Sequence, residues 1–175
     1  VMTRMVANAN VGYDIFNWLS VDYRIGINDL RMDRKEVLNL GSRAVGGKGR
    51  IRVETDDIQE IESTFMVRFD KRIKEAFGIK ATLGHNVNQY TRENERITGR
   101  NIMFAGVYNV NNTESQVAIE IYERTRLWAL FGDGNLDYKN YLFLNLTGRN
   151  EFSSTLPKNS RSYFYPAVAL SFVFT

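Results

Sequence analysis

Cysteine is absent from the 175 residues, and histidine appears once, as His85. The first absence excludes a disulfide framework and any thiolate metal site. The second leaves a Ser-His-Asp triad or a multi-histidine metal centre without its parts. Neither sign of charge dominates: 23 basic and 20 acidic side chains give a net charge of +3. That is a mixed surface rather than a nucleic-acid footprint. The chain therefore reads as a non-enzyme that needs no metal or cofactor and binds no nucleic acid. No apolar run approaches the ~20 residues of a membrane helix. A β-barrel is untouched by that absence, because it crosses with strands of ~9–11 residues whose polarity alternates.

What is present is period 2. Leu19, Val21, Tyr23, Ile25 and Ile27 share one face, and Asp22, Arg24 and Asn28 take the other. Such alternation predicts a strand with one apolar and one wet face. Six more segments read alike. Met5–Tyr13 sets Ala7, Ala9 and Val11 against Asn8 and Asn10. Ile61–Asp70 sets Phe65, Val67 and Phe69 against Arg68 and Asp70. Ile79–Asn88 sets Ala81, Leu83 and Val87 against Lys80 and Asn86. Trp128–Tyr138 sets Leu130 and Leu136 against Asp133, Asn135 and Asp137. Leu142, Leu144 and Leu146 oppose Asn145, Thr147 and Arg149, and Phe164, Val168, Leu170, Phe172 and Phe174 oppose Tyr163, Tyr165 and Ser171. Helical spacing never persists; FDKRIKEAF (Phe69–Phe77) reads as a strand turn.

The connections alternate in length. Short ones are expected at Asp14–Trp18, at about Lys74–Gly78 and at Lys139-Asn140. Long ones are expected at about Asp29–Asp57, about Glu93–Val117 and Ser153–Arg161. In an up-and-down sheet alternate connections lie at one end, so short turns and long loops segregate. Outer-membrane barrels have this layout. Tyr13, Phe16, Trp18, Phe77, Tyr138 and Tyr141 crowd the short-turn ends, as in an interfacial aromatic girdle. The alternative folds are a soluble β-sandwich and a lipocalin-like barrel. Long strands, mid-strand charge and segregated loops favour the membrane barrel. About seven strands do not close a bacterial barrel, which needs an even number, usually eight or more. Bare edges in lipid leave backbone groups unpaired. Either an eighth strand hides in a long loop, or the chain is a segment of a larger barrel.

The C-terminal run carries a resemblance. It contains Phe131-Gly132, then Tyr138-Lys139, then Arg149-Asn150-Glu151-Phe152-Ser153-Ser154 with Thr155-Leu156-Pro157, then Ser162-Tyr163-Phe164-Tyr165-Pro166. In this order, and with Tyr122–Trp128 (YERTRLW) before them, these elements resemble barrel strands of the SusC/RagA-type TonB-dependent outer-membrane transporters. Glu151 stands where aspartate is more usual. Ile79–Ile97 is similar more loosely, and residues 1–70 match only in strand character. The resemblance implies an all-β, antiparallel up-and-down transmembrane barrel of about 22 strands with a plug, of which residues 1–175 form a middle part without plug domain or TonB box. It implies TonB-powered import of an oligosaccharide or peptide through the Gram-negative outer membrane, with a SusD-like surface lipoprotein as partner. Two other readings stay open: a small stand-alone outer-membrane barrel with a structural or adhesion role, and a soluble β-sandwich binding module.

Individual motifs are read on that background. Ser153 and Ser154 lack a Gly-x-Ser-x-Gly elbow, so RNEFSSTLP reads as a strand end and turn. Arg149 and Glu151, at i and i+2, share the polar face, as do Asp133, Asn135 and Asp137. All five are expected to face the lumen as structural groups. Asp133-x-Asn135-x-Asp137 is not a calcium loop, because Tyr138 stands where glycine is required. Val45-Gly46-Gly47-Lys48-Gly49-Arg50 lacks the P-loop spacing and reads as an outer loop. Binding residues concentrate on loops held by a rigid scaffold, so Met103, Phe104, Tyr108 and Asn111 are the substrate-contact candidates.

Overall fold

A computed structural model describes residues 1–74 and 76–174. Seven strands follow one another: β1 (Met2–Phe16), β2 (Leu19–Leu38), β3 (Arg50–Ile73), β4 (Phe77–Ile102), β5 (Thr113–Tyr138), β6 (Leu142–Ser153) and β7 (Ser162–Phe172). They form one sheet in the order β1-β2-β3-β4-β5-β6-β7, so each strand pairs only with its chain neighbours. This is the all-β, antiparallel up-and-down architecture that the alternation predicts. The other regular elements among the described residues are 3-10 turns at Arg43–Val45, Val110–Asn112 and Lys158–Ser160. No helix among the described residues is long and apolar enough to cross a membrane.

The short connections fall where expected. Asn17-Trp18 joins β1 to β2, and Lys139–Tyr141 joins β5 to β6. Lys74, Lys139 and Asn140 take positive φ of 54°, 48° and 59°, which lets the chain reverse in so few residues. Glu75, in the expected Lys74–Gly78 turn, lies outside the described residues.

Two of the long connections need correcting. Asp29–Asp57 is not one long loop: β2 continues to Leu38 and β3 begins at Arg50. Likewise β4 continues to Ile102 and β5 begins at Thr113, inside the expected Glu93–Val117 loop. Both faces of these extensions carry charge, so the apolar period that reveals a strand vanishes while the ladder continues. The third connection, 154–161, lies within Ser153–Arg161 as expected. No eighth strand appears in any connection among the described residues.

The chain divides into two units. The first comprises Val1–Val6, Asn28–Glu60 and Tyr90–Arg124. The second comprises Ala7–Ile27, Ile61–Gln89 and the described chain from Thr125 onward. Burial is sparse: among the described residues Ile51, Ile102 and Ala129 are the buried apolar ones.

Candidate functional site

In the second unit the two sheet faces differ. One face is apolar and rich in rings. Phe16 stacks on Trp18 at 5.0 Å between centroids, and Trp18 meets Phe69 edge-on at 5.3 Å. Phe77–Tyr138, Tyr138–Tyr141 and Tyr141–Phe172 follow at 4.8, 5.5 and 5.5 Å. These rings cluster at the short-turn end. Lys71 Nζ lies 5.0 Å from the Trp18 ring, and Lys139 Nζ lies 5.4 Å from Tyr138. A second cluster sits ten residues along β5, where Trp128 stacks on its cross-strand partner Phe152 at 3.8 Å. His85 joins it, 6.0 Å from Trp128. Between the clusters on this face lie Leu136↔Leu144, Gly134↔Leu146, Gly132↔Gly148 and Leu130↔Asn150, and across β6 Leu144↔Leu170 and Leu146↔Val168.

The other face is polar and braced. Arg68 bonds Asp22, Lys80 Nζ reaches Asp70 Oδ2 at 3.1 Å, and Asn86 Nδ2 donates to Thr64 Oγ1 at 2.8 Å. The five expected wall residues all lie on this face. Asp133 opposes Thr147, Asn135 opposes Asn145 and Asp137 opposes Phe143. Asp137 accepts from Arg72 Nη2 at 2.8 Å and overlies Gly78, where any side chain would collide with its carboxylate. Arg149 Nε donates to Glu151 Oε1 at 2.6 Å. The guanidinium also lies 5.8 Å from the Phe131 ring, a cation–π distance. Phe131 lies on this face too, as its parity with Asp133 implies, although sequence reasoning did not single it out. Its ring covers Gly84, the only residue type that leaves it room.

The serine pair is structural. Ser154 Oγ accepts from the Arg126 backbone N–H at 2.8 Å, and Ser153 Oγ lies 2.7 Å from Thr155 Oγ1.

In the first unit both sheet faces are charged. On one, Arg31 spans Asp33 and Asp57 at 3.5 and 3.4 Å. It lines a cleft of about 510 Å3 with Asp29, Asp57 and Glu93. On the other, Arg92 takes Asp56 in a two-point bond, and Arg50 Nη2 reaches Glu36 Oε1 at 2.6 Å. Hydrogen bonding from Arg50 holds the Glu36 carboxyl below the usual carboxylate range, and Arg92 does the same for Asp56.

The four substrate-contact candidates share the connection 103–112 in this unit. Met103, Phe104 and Tyr108 are exposed, at 49%, 67% and 44%. Tyr108 lines a cleft of about 230 Å3 with Leu40, Ile102 and Gly106. Asn111 donates its backbone N–H to Asn109 Oδ1 at 3.0 Å. The residue that shapes the connection is its neighbour Asn112, which is buried. Asn112 Nδ2 donates to Phe104 O at 2.8 Å and Val107 O at 2.7 Å, while its Oδ1 accepts from Phe104 N at 3.1 Å. The four candidates and the five wall residues belong to different units. Among the described residues, no group of three or more His, Cys, Asp or Glu side chains could hold a metal ion.

No protein-family model matches the sequence, and no curated protein matches it. Solved structures do. The chain superposes on a structure of the RagAB peptide transporter with a TM-score of 0.83 at 14% identity, over 98% of this chain and 20% of that one. The chain has the fold of the matched part of that solved chain. The RagAB peptide importer in its "closed-closed" state gives a TM-score of 0.82 at 14% identity, and the "open-open" state gives 0.78 at 15%. In each the chain spans about a fifth of the solved chain. The similarity to RagAB covers the whole sheet, although the sequence resemblance is carried chiefly by the last third.

Proposed function

We propose that residues 1–175 are a stretch of the transmembrane barrel wall of an outer-membrane nutrient importer. On this reading the second unit crosses the bilayer, with its ring-bearing face toward lipid and its braced polar face toward the lumen. Asp133, Asn135, Asp137, Arg149 and Glu151 are then wall residues, and the 103–112 connection contacts substrate or partner. The plug and the TonB-binding segment lie outside residues 1–175. A SusD-like surface lipoprotein delivers the substrate and TonB supplies the energy. The substrate is a peptide or an oligosaccharide, and the peptide is favoured by the structural similarity to RagAB.

The observation that carries this reading is the spacing of the two ring clusters. Trp128 and Tyr138 are ten residues apart on β5. At ~3.4 Å per residue and a tilt of about 40°, that is about 25 Å of height, the thickness of the apolar band of an outer-membrane barrel. Leu130, Leu136, Leu144 and Leu146 lie in the interval, with Asn150 the one polar side chain among these β5–β6 pairs, and rings mark both ends, where interfacial girdles belong.

The test is fractionation and uptake. The full-length protein should be recovered from the outer membrane and need detergent to remain in solution. Cells carrying it should accumulate a labelled short peptide, and should stop when the inner membrane is de-energised. Recovery as a soluble monomer in plain buffer would sink the membrane reading. Peptide uptake that ignores de-energisation would sink the TonB part alone.

A further inference from the structure

The glycine-rich segment Val45–Arg50 remains unexplained by the barrel reading. It has no role in spanning a membrane, yet it is tightly built. Gly41 N–H donates to Gly47 O at 2.8 Å, and Gly47 N–H donates to Ser42 O at 2.9 Å. Its far end is pinned to β4, where Asn101 N–H donates to Gly49 O at 3.1 Å and Ile102 N–H to Lys48 O at 2.8 Å. Gly49 has φ of +72°, and a Cβ there would lie 2.7 Å from Ile102 Cδ1. Beneath it Ile51 and Ile102 are buried. The segment is thus held on a small apolar base.

That base positions a cavity of about 260 Å3 lined by Val45, Gly49, Arg50, Arg100 and Asn101. Two arginines line it and no acidic residue does. The acids nearby are already engaged. Glu36 is shared, with Arg50 at 2.6 Å and Arg52 at 3.9 Å, and Glu114 accepts from Asn101 Nδ2 at 2.7 Å. Arg100 forms no ion pair among the described residues, and it is exposed. Arg50 Nε and, outside the cavity lining, Arg52 Nε are buried without a hydrogen-bond partner in the protein. Buried donors are rarely left so, and Arg100, a guanidinium without an acidic partner beside an Arg50 that shares Glu36 with Arg52, suits the planar, two-oxygen geometry of a carboxylate.

We propose that this cavity is an anion subsite which takes a carboxylate group of the imported substrate, with Arg100 as its principal contact and Arg50 as its second. The proposal rests on the transport reading and gives it a substrate class, acidic rather than neutral cargo. Two sources carry the same chemistry, an aspartate, glutamate or C-terminal carboxylate of a peptide and a uronic acid of an oligosaccharide.

The test uses the full-length protein in detergent and, in parallel, cells that carry it. One arm compares a short glutamate-containing peptide with its glutamine counterpart. The other compares an oligogalacturonate with its methyl ester. The expected result is an acidic-over-neutral preference of about tenfold in one arm, the size of one charge-assisted contact. Which arm shows it identifies the source. Arg100→Gln should bring the ratio close to one, and Arg100→Lys should keep part of it, while the far-ultraviolet circular dichroism stays that of the parent. An equal response to acidic and neutral probes, with uptake intact, overturns the subsite and leaves the transport reading standing. A preference that survives Arg100→Gln overturns the assignment to this cavity. If neither probe is bound or taken up, both readings fall together.

Discussion

Arg92 holds Asp56 at two points, Nε to Oδ1 at 2.8 Å and Nη2 to Oδ2 at 2.9 Å, across the β3–β4 ladder. The Asp56 side chain is 15% exposed in the pair, so the bond is shielded from water on most sides. The guanidinium bond keeps its carboxyl below the ordinary value. A depressed carboxyl stabilises the fold fully above its unfolded pKa of about 3.9 and loses that contribution as pH falls through the lower folded value. The pair should therefore persist at pH 5 and dissolve only below the pKa of a free aspartate. A titration of Asp56 by carbon-13 NMR should give a midpoint below that of a free aspartate; an ordinary midpoint contradicts it. Asp56→Asn should ease local opening of the neighbouring ladder by about 1.5–3 kcal/mol, the range for hydrogen bonds to charged groups. Hydrogen exchange at residues 54–58 and 90–94 would read this.

Gly49 and Gly47 both have positive φ, +72° and +80°, but only Gly49 has close neighbours. Gly47→Ala should cost about 1 kcal/mol from backbone strain alone. Gly49→Ala should cost visibly more, because Ile102 and the Leu38 carbonyl must also move. Limited proteolysis of the 39–49 connection distinguishes them. Equal cleavage rates would show that the packing at Gly49 contributes nothing.

Leu144 and Asn145 are adjacent on β6 and point to opposite faces. Leu144→Arg puts a cation on the face read as lipid-facing, at a cost of roughly 2–4 kcal/mol near mid-depth. Asn145→Arg puts it on the polar face and should cost far less. Folding into lipid vesicles, followed by heat-modifiable mobility on gels, gives both values. Similar losses for the two would contradict the assignment of faces.

Asn112 is buried and bonds Phe104 twice and Val107 once. Asn112→Ala leaves three backbone groups without their partner, and each unsatisfied group costs about 1–3 kcal/mol if it stays buried. The 103–112 connection should then be cut faster by protease than in Phe104→Ala, which removes an exposed ring. Unchanged cleavage in Asn112→Ala would show that the connection holds its shape without this side chain.

The sequence was legible where polarity alternates and opaque where it does not. Leu19–Ile27 announces its strand because one face is apolar. Asp29–Leu38 hides the same strand, since Arg31 and Asp33 on one face and Arg34 and Glu36 on the other erase the period. What holds that region is cross-strand pairing, such as Arg50 with Glu36 and Arg92 with Asp56, between residues distant in sequence. A single sequence without its register does not show which charges meet. The wall residues could be assigned to a face by parity alone, but the Arg72–Asp137 bond and the Phe131–Gly84 contact could not. The connection candidates Met103, Phe104, Tyr108 and Asn111 were grouped by loop position and composition, and the structure places all four in the one connection 103–112. Asn112 was overlooked as the organiser, because a buried asparagine looks like any other in a polar run.

Each strand of the sheet pairs only with the strand before and after it in the chain. A sheet wired in this way is indifferent to its own length. A hairpin can be added or lost at either rim without rethreading any other, and assembly can proceed in chain order with every new strand finding its partner already in place. The same wiring lets one ladder geometry serve barrels of quite different girth, so pore width becomes a matter of counting hairpins rather than redesigning them.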